Sequence, residues 1–596
     1  MRIGILILVF LFFLSPGLWS QVWVKGQVSD QQTGDPLAYA HLRVQNGTNA
    51  CVSNAEGSFA LLCFPQRDSI LVTYLGYESK LVAASQFAEN PQLSLVPIDY
   101  SLNEVIVGKD NGKVLRIIDA CRKNLGQKTG YHKSKAYFAV ESDYGGVPLE
   151  VLEVYYNAYI RNITIESLVY KNGRVALQPI DNYFLSLHTS EAIKQNHWME
   201  KNVYFPYNPL QLSKKENNKQ FDFLILPRHD SLWIIEYVPK QDLRNYFQGE
   251  LWVNPTNNQV YKLLQEIDSA SVFPLIPVHD FDSIFFPCMR LETYFEWNNE
   301  QPKFLLTSFE LEFDYLSHRD SLSPIRPLHY KTIQRRIRSK GVLSCFDYTS
   351  QFLEPTLQYS DKLYDYYKMT LIPYNEDFWK YHQHRTLSER ELESLHFLTK
   401  NEDQADTLDL KAEGFDNRIR FSSELPDNLL FANPYWFWTR DKRIRIDPNS
   451  KVRKSSPNGF PQVHSIYDLF HFEVQILVDI NPTPYGWSTK SYTLFDSDKT
   501  FFHLPVEPIH DALINMYFDL YEMNRLNFEA KLTQMDLSEK EIMILYEETL
   551  KNADATTRKF LFEVQMGENQ RAMDKWNHRI FEALEIDNLK LFQEKE

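Results

Sequence analysis

The chain has 596 residues, with 63 Lys and Arg against 78 Asp and Glu, giving a net charge of −15. Aromatic residues make up 14% and glycines number only 20, which excludes a disordered, collagen-like or linker-type chain and allows several buried cores. The acidic balance argues against a dedicated nucleic-acid binder, because phosphate contacts draw on surplus Lys and Arg.

The first element reads as an address. Arg2 supplies a positive start, Ile3 to Leu14 an apolar run, Pro16–Gly17 a break, and small Ser20 before Gln21 suits cleavage. The run is short for a spanning helix, so residues 1–20 are expected to be a secretory signal, with an uncleaved N-terminal anchor as the alternative. No Cys stands beside the cleavage point, the first being Cys51, which removes a bacterial lipoprotein reading. Cys51, Cys63, Cys121, Cys288 and Cys345 are odd in number and none forms a C-x-x-C pair, so neither a zinc knuckle nor a redox motif is indicated. Cys51 and Cys63 flank Ser53–Leu62 and invite a cross-hairpin disulfide; buried free thiols are the alternative.

Residues 22–96 read as a small all-β unit. Val22, Val24, Gly26 and Val28 alternate, as do Ala38, Ala40, Leu42 and Val44. Turn signals separate the runs at Thr33-Gly-Asp-Pro36, Asn46–Gly47 and Asn54-Ala-Glu-Gly57. The ordered set Val24-Lys-Gly26-Gln-Val28, Gly34-Asp-Pro36-Leu37, Gly47-Thr48, Ser53-Asn54-Ala-Glu-Gly57-Ser-Phe59 and Val72-Thr-Tyr74-Leu-Gly76-Tyr77 resembles the carboxypeptidase regulatory-like domain of Bacteroidota envelope proteins. That domain also precedes the plug of TonB-dependent outer-membrane transporters, and Ser101-Leu-Asn-Glu-Val-Ile-Val-Gly108 is similar to the linker that follows it there. The resemblance implies a seven-stranded, transthyretin-like sandwich over residues 21–98 without catalytic residues. It departs from the family at Cys51, where Gly is common.

After a linker at 99–112 the period changes. Val114, Ile117, Ile118, Cys121 and Leu125 fall on one helical face. Strands are predicted over Ala136–Glu141, Leu149–Ala158, Ile163–Tyr170, Leu232–Val238, Gly249–Asn254, Gln259–Glu266, Leu291–Trp297 and Phe304–Tyr315. In the last, Leu305, Thr307, Phe309, Leu311, Phe313 and Tyr315 are assigned one face and Glu310, Glu312 and Asp314 the other. This order predicts a central α+β domain, 113–370, with a curved antiparallel sheet resembling the half-barrel of lipoprotein-carrier proteins. Trp233, Tyr237, Trp252, Phe309 and Phe313 are its candidates for an apolar cavity, or else ordinary core. The basic run Lys331 to Lys340 reads as a solvated strand or sheet edge.

Residues 371–505 are mixed and 506–596 helical. Thr386-Leu-Ser-Glu389 and Ser388-Glu-Arg-Glu391 are both capping-box patterns. Pro508 opens one predicted helix, Ser538-Glu-Lys-Glu541 caps a second, and a third is expected from about Asp554 through Leu584. The fold class expected is therefore mixed and multidomain: N-terminal β-sandwich, central antiparallel half-barrel-like α+β domain and helical C-terminal region.

No H-E-x-x-H, G-x-S-x-G or Walker loop occurs, so no catalytic, cofactor-binding or metal-ligating set is assigned. His382-Gln-His384 and His279-Asp-Phe-Asp282 are weak metal patterns, better read as packing and as a polar turn. The most unusual stretch is Asn433-Pro-Tyr435-Trp436-Phe-Trp438-Thr-Arg440-Asp-Lys-Arg443-Ile-Arg445. Amphipathic rings beside cations suit a membrane surface or a partner protein. Tyr435, Trp436, Trp438, Arg440, Arg443 and Arg445 form the candidate docking patch, against a buried strand and solvated loop. The expectation is a non-enzymatic binding or assembly module of the periplasm or outer-membrane periphery, partnering an envelope protein or complex and possible lipid, but not nucleic acid. The alternatives are an envelope hydrolase acting on peptide or glycan, and lipid or lipoprotein handling by the central domain.

Overall fold

The computed structural model describes residues 21–98, 111–126, 130–177, 193–227, 232–275, 283–298, 301–319, 331–357, 368–400, 435–446, 470–502 and 507–593, apart from a few single positions. Residues 1–20, residues 99–110, and His279 to Asp282 lie outside the described residues. The chain divides into two compact units, Met1–Phe352 with Leu363–Ser423, and Leu353–Lys362 with Glu424–Glu596.

The first unit opens with a β-sandwich. Its strands are β1 (Val22–Asp30), β2 (His41–Val44), β3 (Ala50–Val52), β4 (Ser58–Cys63), β5 (Ser69–Thr73), β6 (Lys80–Ala83) and β7 (Gln92–Leu95), with a short α1 (Gln86–Glu89) before β7. They form two sheets, β4-β1-β7 and β3-β2-β5-β6, enclosing a core that includes Val28, Leu42, Phe59, Leu61, Ile70 and Val72. The five cysteines are free. Cys51 and Cys63 are buried core members, and burial pushes the Cys63 thiol up to about 12, so it stays protonated.

Next comes α2 (Asn111–Leu125), whose Asn124 side chain donates to the carbonyls of Asn257 and Asn258 at 3.0 and 3.1 Å. The large sheet follows. Its strands are β8 (Tyr131–Tyr144), β9 (Val147–Arg161), β10 (Thr164–Leu177), β11 (Phe221–Pro227), β12 (Trp233–Pro239), β13 (Gln248–Asn254), β14 (Gln259–Ile267), β15 (Ser283–Asn298), β16 (Gln301–Arg319) and β17 (Lys331–Phe346). The ten lie antiparallel in the order β10-β9-β8-β17-β16-β15-β14-β13-β12-β11. Two helices close this unit's described chain, α4 (Glu376–Tyr381) and α5 (Glu389–Lys400), after α3 (Lys214–Gln220) ahead of β11. Of the two overlapping capping boxes, the second forms: Ser388 Oγ accepts from Glu391 N at 3.0 Å, and Glu391 accepts from Ser388 N at 2.7 Å.

Two sequence expectations change here. The basic run in β17 is no edge; it is an interior strand between β16 and β8. Its register sets Lys340, Arg338 and Arg336 opposite Glu310, Glu312 and Asp314 of β16, so the charges neutralise a neighbouring strand rather than blunt an edge. Gly341 allows this approach, since a Cβ there would stand 2.2 Å from Ala139 O and 2.5 Å from the Phe309 ring. Second, an irregularity between Tyr294 and Phe295 leaves Leu305 without a direct partner in β15. Phe304 therefore joins the buried face of Phe309, Leu311 and Phe313, where Trp198 stacks on it at 5.1 Å.

The second unit pairs a small sheet, β18-β21-β20, with helices. Its strands are β18 (Tyr435–Phe437), β19 (Phe470–His471), β20 (Val474–Thr483), β21 (Gly486–Asp496) and β22 (Phe501–Phe502). Its helices are α6 (Pro508–Gln534), α7 (Glu539–Val564), α8 (Gln570–Leu584) and α9 (Asn588–Gln593). Pro508 stands at the first turn of α6 as expected, and the Ser538–Glu541 box caps α7. The long pattern from Asp554 is corrected. It begins inside α7 and breaks at Gln565, Met566 and Gly567, all at positive φ, before α8. The β20–β21 hairpin was not anticipated, although Val474, Ile476, Val478 and Ile480 alternate into the core.

Candidate functional site

Charges and rings divide one face of the large sheet. Towards one end it carries ion pairs: Arg336 with Glu312 at 2.7 Å, Lys340 with Glu310 at 2.7 Å, Arg290 with Glu292 at 2.6 Å and Lys262 with Glu292 at 2.8 Å. Burial favours the neutral acid at Glu292, but Lys262 and Arg290 outweigh it and hold the carboxyl at about 2. Towards the other end Tyr137, Ala139, Tyr155, Leu306 and Val342 meet Val52 of the sandwich and Phe352, Phe378 and Trp379 in one apolar cluster.

An irregular strap, residues 382–388 between α4 and α5, runs through this covered end. Val52 N donates to His384 O at 2.9 Å, and Val52 and Arg385 form a parallel bridge, extending the sandwich sheet by one step. His384 Nδ1 lies 3.1 Å from Ala50 O and its Nε2 lies 2.9 Å from Ser344 Oγ. A carbonyl only accepts, so Nδ1 carries the proton and Nε2 accepts from the serine. Burial pushes this histidine down to about 3, so the imidazole is neutral. Arg385 is buried against Glu391, donating to it through both terminal nitrogens. Burial opposes the guanidinium charge, but Glu391 overrides that and lifts its pKa. Tyr155 Oη accepts from His384 N at 2.7 Å.

The Ser344–His384 pair has the spacing of a nucleophile and base. Ser344 is 0% and His384 2% exposed, and Phe346 stacks on the imidazole at 4.1 Å. No substrate reaches this hydroxyl in the folded chain; the pair ties the sandwich to β17. His382 is likewise packed, stacked on Phe378 at 4.2 Å, so the His382–His384 metal pattern resolves into packing. Among the described residues no group of three or more His, Cys, Asp or Glu is placed to hold a metal ion.

Beside the strap a cavity of about 550 Å³ opens between the β2-β5 sheet of the sandwich and the ends of β14 to β17. Tyr39, Tyr74, Tyr261, Tyr294, Trp297 and Tyr348 line it. Several polar tips are tied back into the protein. Tyr261 donates to Gln259 at 2.9 Å, Tyr294 to Glu292 at 2.9 Å, Trp297 Nε1 to Val260 O at 2.7 Å and Tyr348 to Phe304 O. Anchored this way, the rings are fixed walls. Arg43, Glu296, Lys303 and Asp347 stand around them, and Lys303 Nζ lies 5.1 Å over the Tyr348 ring. Asp347 is paired with Lys135 at 2.8 Å. His41 also lines the cavity; its Nε2 is buried with no hydrogen-bond partner, and burial pushes its pKa down to about 4.

The residues proposed from sequence for an apolar cavity do not form this one. Tyr237, Phe309 and Phe313 are core, at 0%, 2% and 0% exposure. Trp252 donates to Glu250 at 2.7 Å, and Lys113 lies over Trp233. The actual lining comes from strand ends far apart in sequence; only the clustering of Tyr at those ends, in Tyr74, Tyr261, Tyr294 and Tyr348, signals it.

The aromatic and basic stretch 435–446 is a second strap, inside the second unit. Tyr435 is 2% exposed and Trp436 46%. Trp438 Nε1 donates to Asp519 at 2.8 Å, and Arg443 pairs with the same carboxylate at 2.6 Å and with Asn588 at 2.8 Å. Asn515 clasps Ile444 N and O at 2.9 and 2.7 Å, and Asp511 accepts from Ile446 N at 2.8 Å. Positions 511, 515 and 519 fall four apart on α6, one stripe of a helix. Arg440 reaches Glu585, the C-cap of α8, and Arg445 lies 5.4 Å over Phe592. Of the six patch residues Tyr435 and Arg443 turn inward, while Trp436, Arg440 and Arg445 are exposed.

Residues 24–107 match the family model described as the CarboxypepD_reg-like domain. The N-terminal domain is of that type. No curated protein matches the chain. Among solved structures, the complex of Pseudomonas aeruginosa MucA and MucB aligns with a TM-score of 0.13 and 7% identity, over 39% of this chain and 93% of that one. So slight a likeness carries no argument. No helix among the described residues is long and apolar enough to cross a membrane.

Proposed function

We propose that this protein is a non-enzymatic binding module of a bacterial cell envelope, of the Bacteroidota type, exported through residues 1–20 and acting in the periplasm or at the outer-membrane periphery. Its natural context is an envelope protein or outer-membrane complex, in keeping with the regulatory-like domain at its N-terminus. The observation that carries the reading is the aromatic cavity between that domain and the large sheet. Its volume lies in the range of small-molecule sites, and its ring walls are held rigid by their own hydrogen bonds.

The test is the melting temperature of residues 21–596 with glycan, lipid and peptide fractions of bacterial envelope. A ligand that binds only the folded chain raises it. The expected result is a rise with one fraction that Trp297→Ala removes. A folded protein whose melting no fraction moves would overturn the reading.

A further inference from the structure

Resting on that reading, we infer that the ligand of the cavity is a short neutral glycan. Three observations converge. First, the walls are aromatic: Tyr261, Tyr294, Trp297 and Tyr348 line the cavity, and their polar tips are hydrogen-bonded within the protein. A pyranose ring offers such walls a flat face of C–H groups, and large rigid aromatics give contact area at little entropic cost.

Second, the lining is not dry. Asn49, Ser79 and Thr349 contribute neutral polar groups to it, more than an apolar ligand uses. Third, the bordering charges are mixed. Arg43 and Lys303 stand with Glu296 and Asp347, so neither a strongly anionic nor a cationic ligand is favoured. A volume of about 550 Å³ accommodates a di- or trisaccharide rather than a polymer threaded through.

The experiment uses the mature chain, residues 21–596, on an array of neutral di- to hexasaccharides of α- and β-linked hexoses and N-acetylhexosamines. Titration by tryptophan fluorescence follows for the best binder, with cis-parinaric acid as the lipid probe. One glycan family should bind. Trp297→Ala should weaken it at least about tenfold, and Trp297→Phe much less because an aromatic ring is kept. Melting curves of each variant separate lost binding from lost fold, and Lys303→Ala, at the rim, should weaken binding about two- to threefold. Binding of cis-parinaric acid but of no glycan, abolished by Trp297→Ala, would overturn the glycan assignment and leave the cavity as a binding site. Binding of neither probe to the folded chain would overturn the glycan assignment, and with no melting shift from any envelope fraction the binding reading falls with it.

Discussion

The two ends of one sheet face use similar side chains to opposite effect. Under the sandwich, Arg385 and Glu391 are almost fully buried, while at the open end Arg336 and Lys340 pair with Glu312 and Glu310 near solvent. The buried pair ties the irregular strap, through Arg385, to Glu391 in the first turn of α5; the open pairs sit on strands already fixed by continuous ladders. Side-chain charge therefore positions backbone only where backbone hydrogen bonds do not. At the open end it keeps the surface soluble and supports a register that is set by other means.

This contrast can be broken by mutation. The largest effect is expected from Arg385→Leu, which strands the Glu391 carboxylate away from water. Urea denaturation should show a loss of about 3–5 kcal/mol, with Arg385→Leu/Glu391→Leu recovering most of it. Acid acts on the same end. His384 has its pKa depressed to about 3 by burial, so the unfolded chain takes up a proton first as pH falls below its ordinary value near 6.5. The stability this histidine contributes is complete above that value and is lost as pH falls towards 3. Between pH 7 and 5 the loss is about 2 kcal/mol, read as the difference in pH slope between the parent and His384→Gln. Tyr155→Phe removes the hydroxyl that accepts from His384 N and should cost about 1–2 kcal/mol in the same assay. Smallest is Arg336→Ala at the open end, expected at about 0–1 kcal/mol and vanishing in 1 M salt. An equal cost for Arg336→Ala and Arg385→Leu would erase the distinction between the two ends.

Much of the architecture was legible in local pattern. The sandwich follows from turn residues such as Gly57, whose φ of +72 and close approach to Val28 O admit no Cβ. Eight strands of the large sheet follow from alternation, whereas β11 (Phe221–Pro227) is missed, and the caps at Ser388 and Ser538 follow from their Glu partners three residues on. What failed depended on distant partners. Lys331 to Lys340 reads as a solvated strand or an edge; it is a strand but an interior one, and the acidic strand that neutralises it stands in a different predicted element. The patch around Arg443 looked like a surface because Asp519, its counter-charge, lies 76 residues on within an apolar helix. The cavity is hidden for the same reason, since lining residues such as Tyr39 and Tyr348 stand far apart in sequence. Nor does the helix break at Gln565–Gly567 carry a proline to announce it.

The position of β17 also bears on how the chain acquires its fold. Strands β8 to β10 form one local meander and β11 to β16 another, and β17 is hydrogen-bonded to both. Residues 131–144 thus wait for a partner roughly 200 positions downstream, an arrangement of high contact order that slows folding. Until Phe346 has emerged, β8 and β16 each present an unpaired strand edge, an opening for aggregation or for a chaperone. The last strand of the sheet acts as its keystone, and a truncation ahead of residue 331 should yield two sticky half-sheets rather than a smaller stable domain.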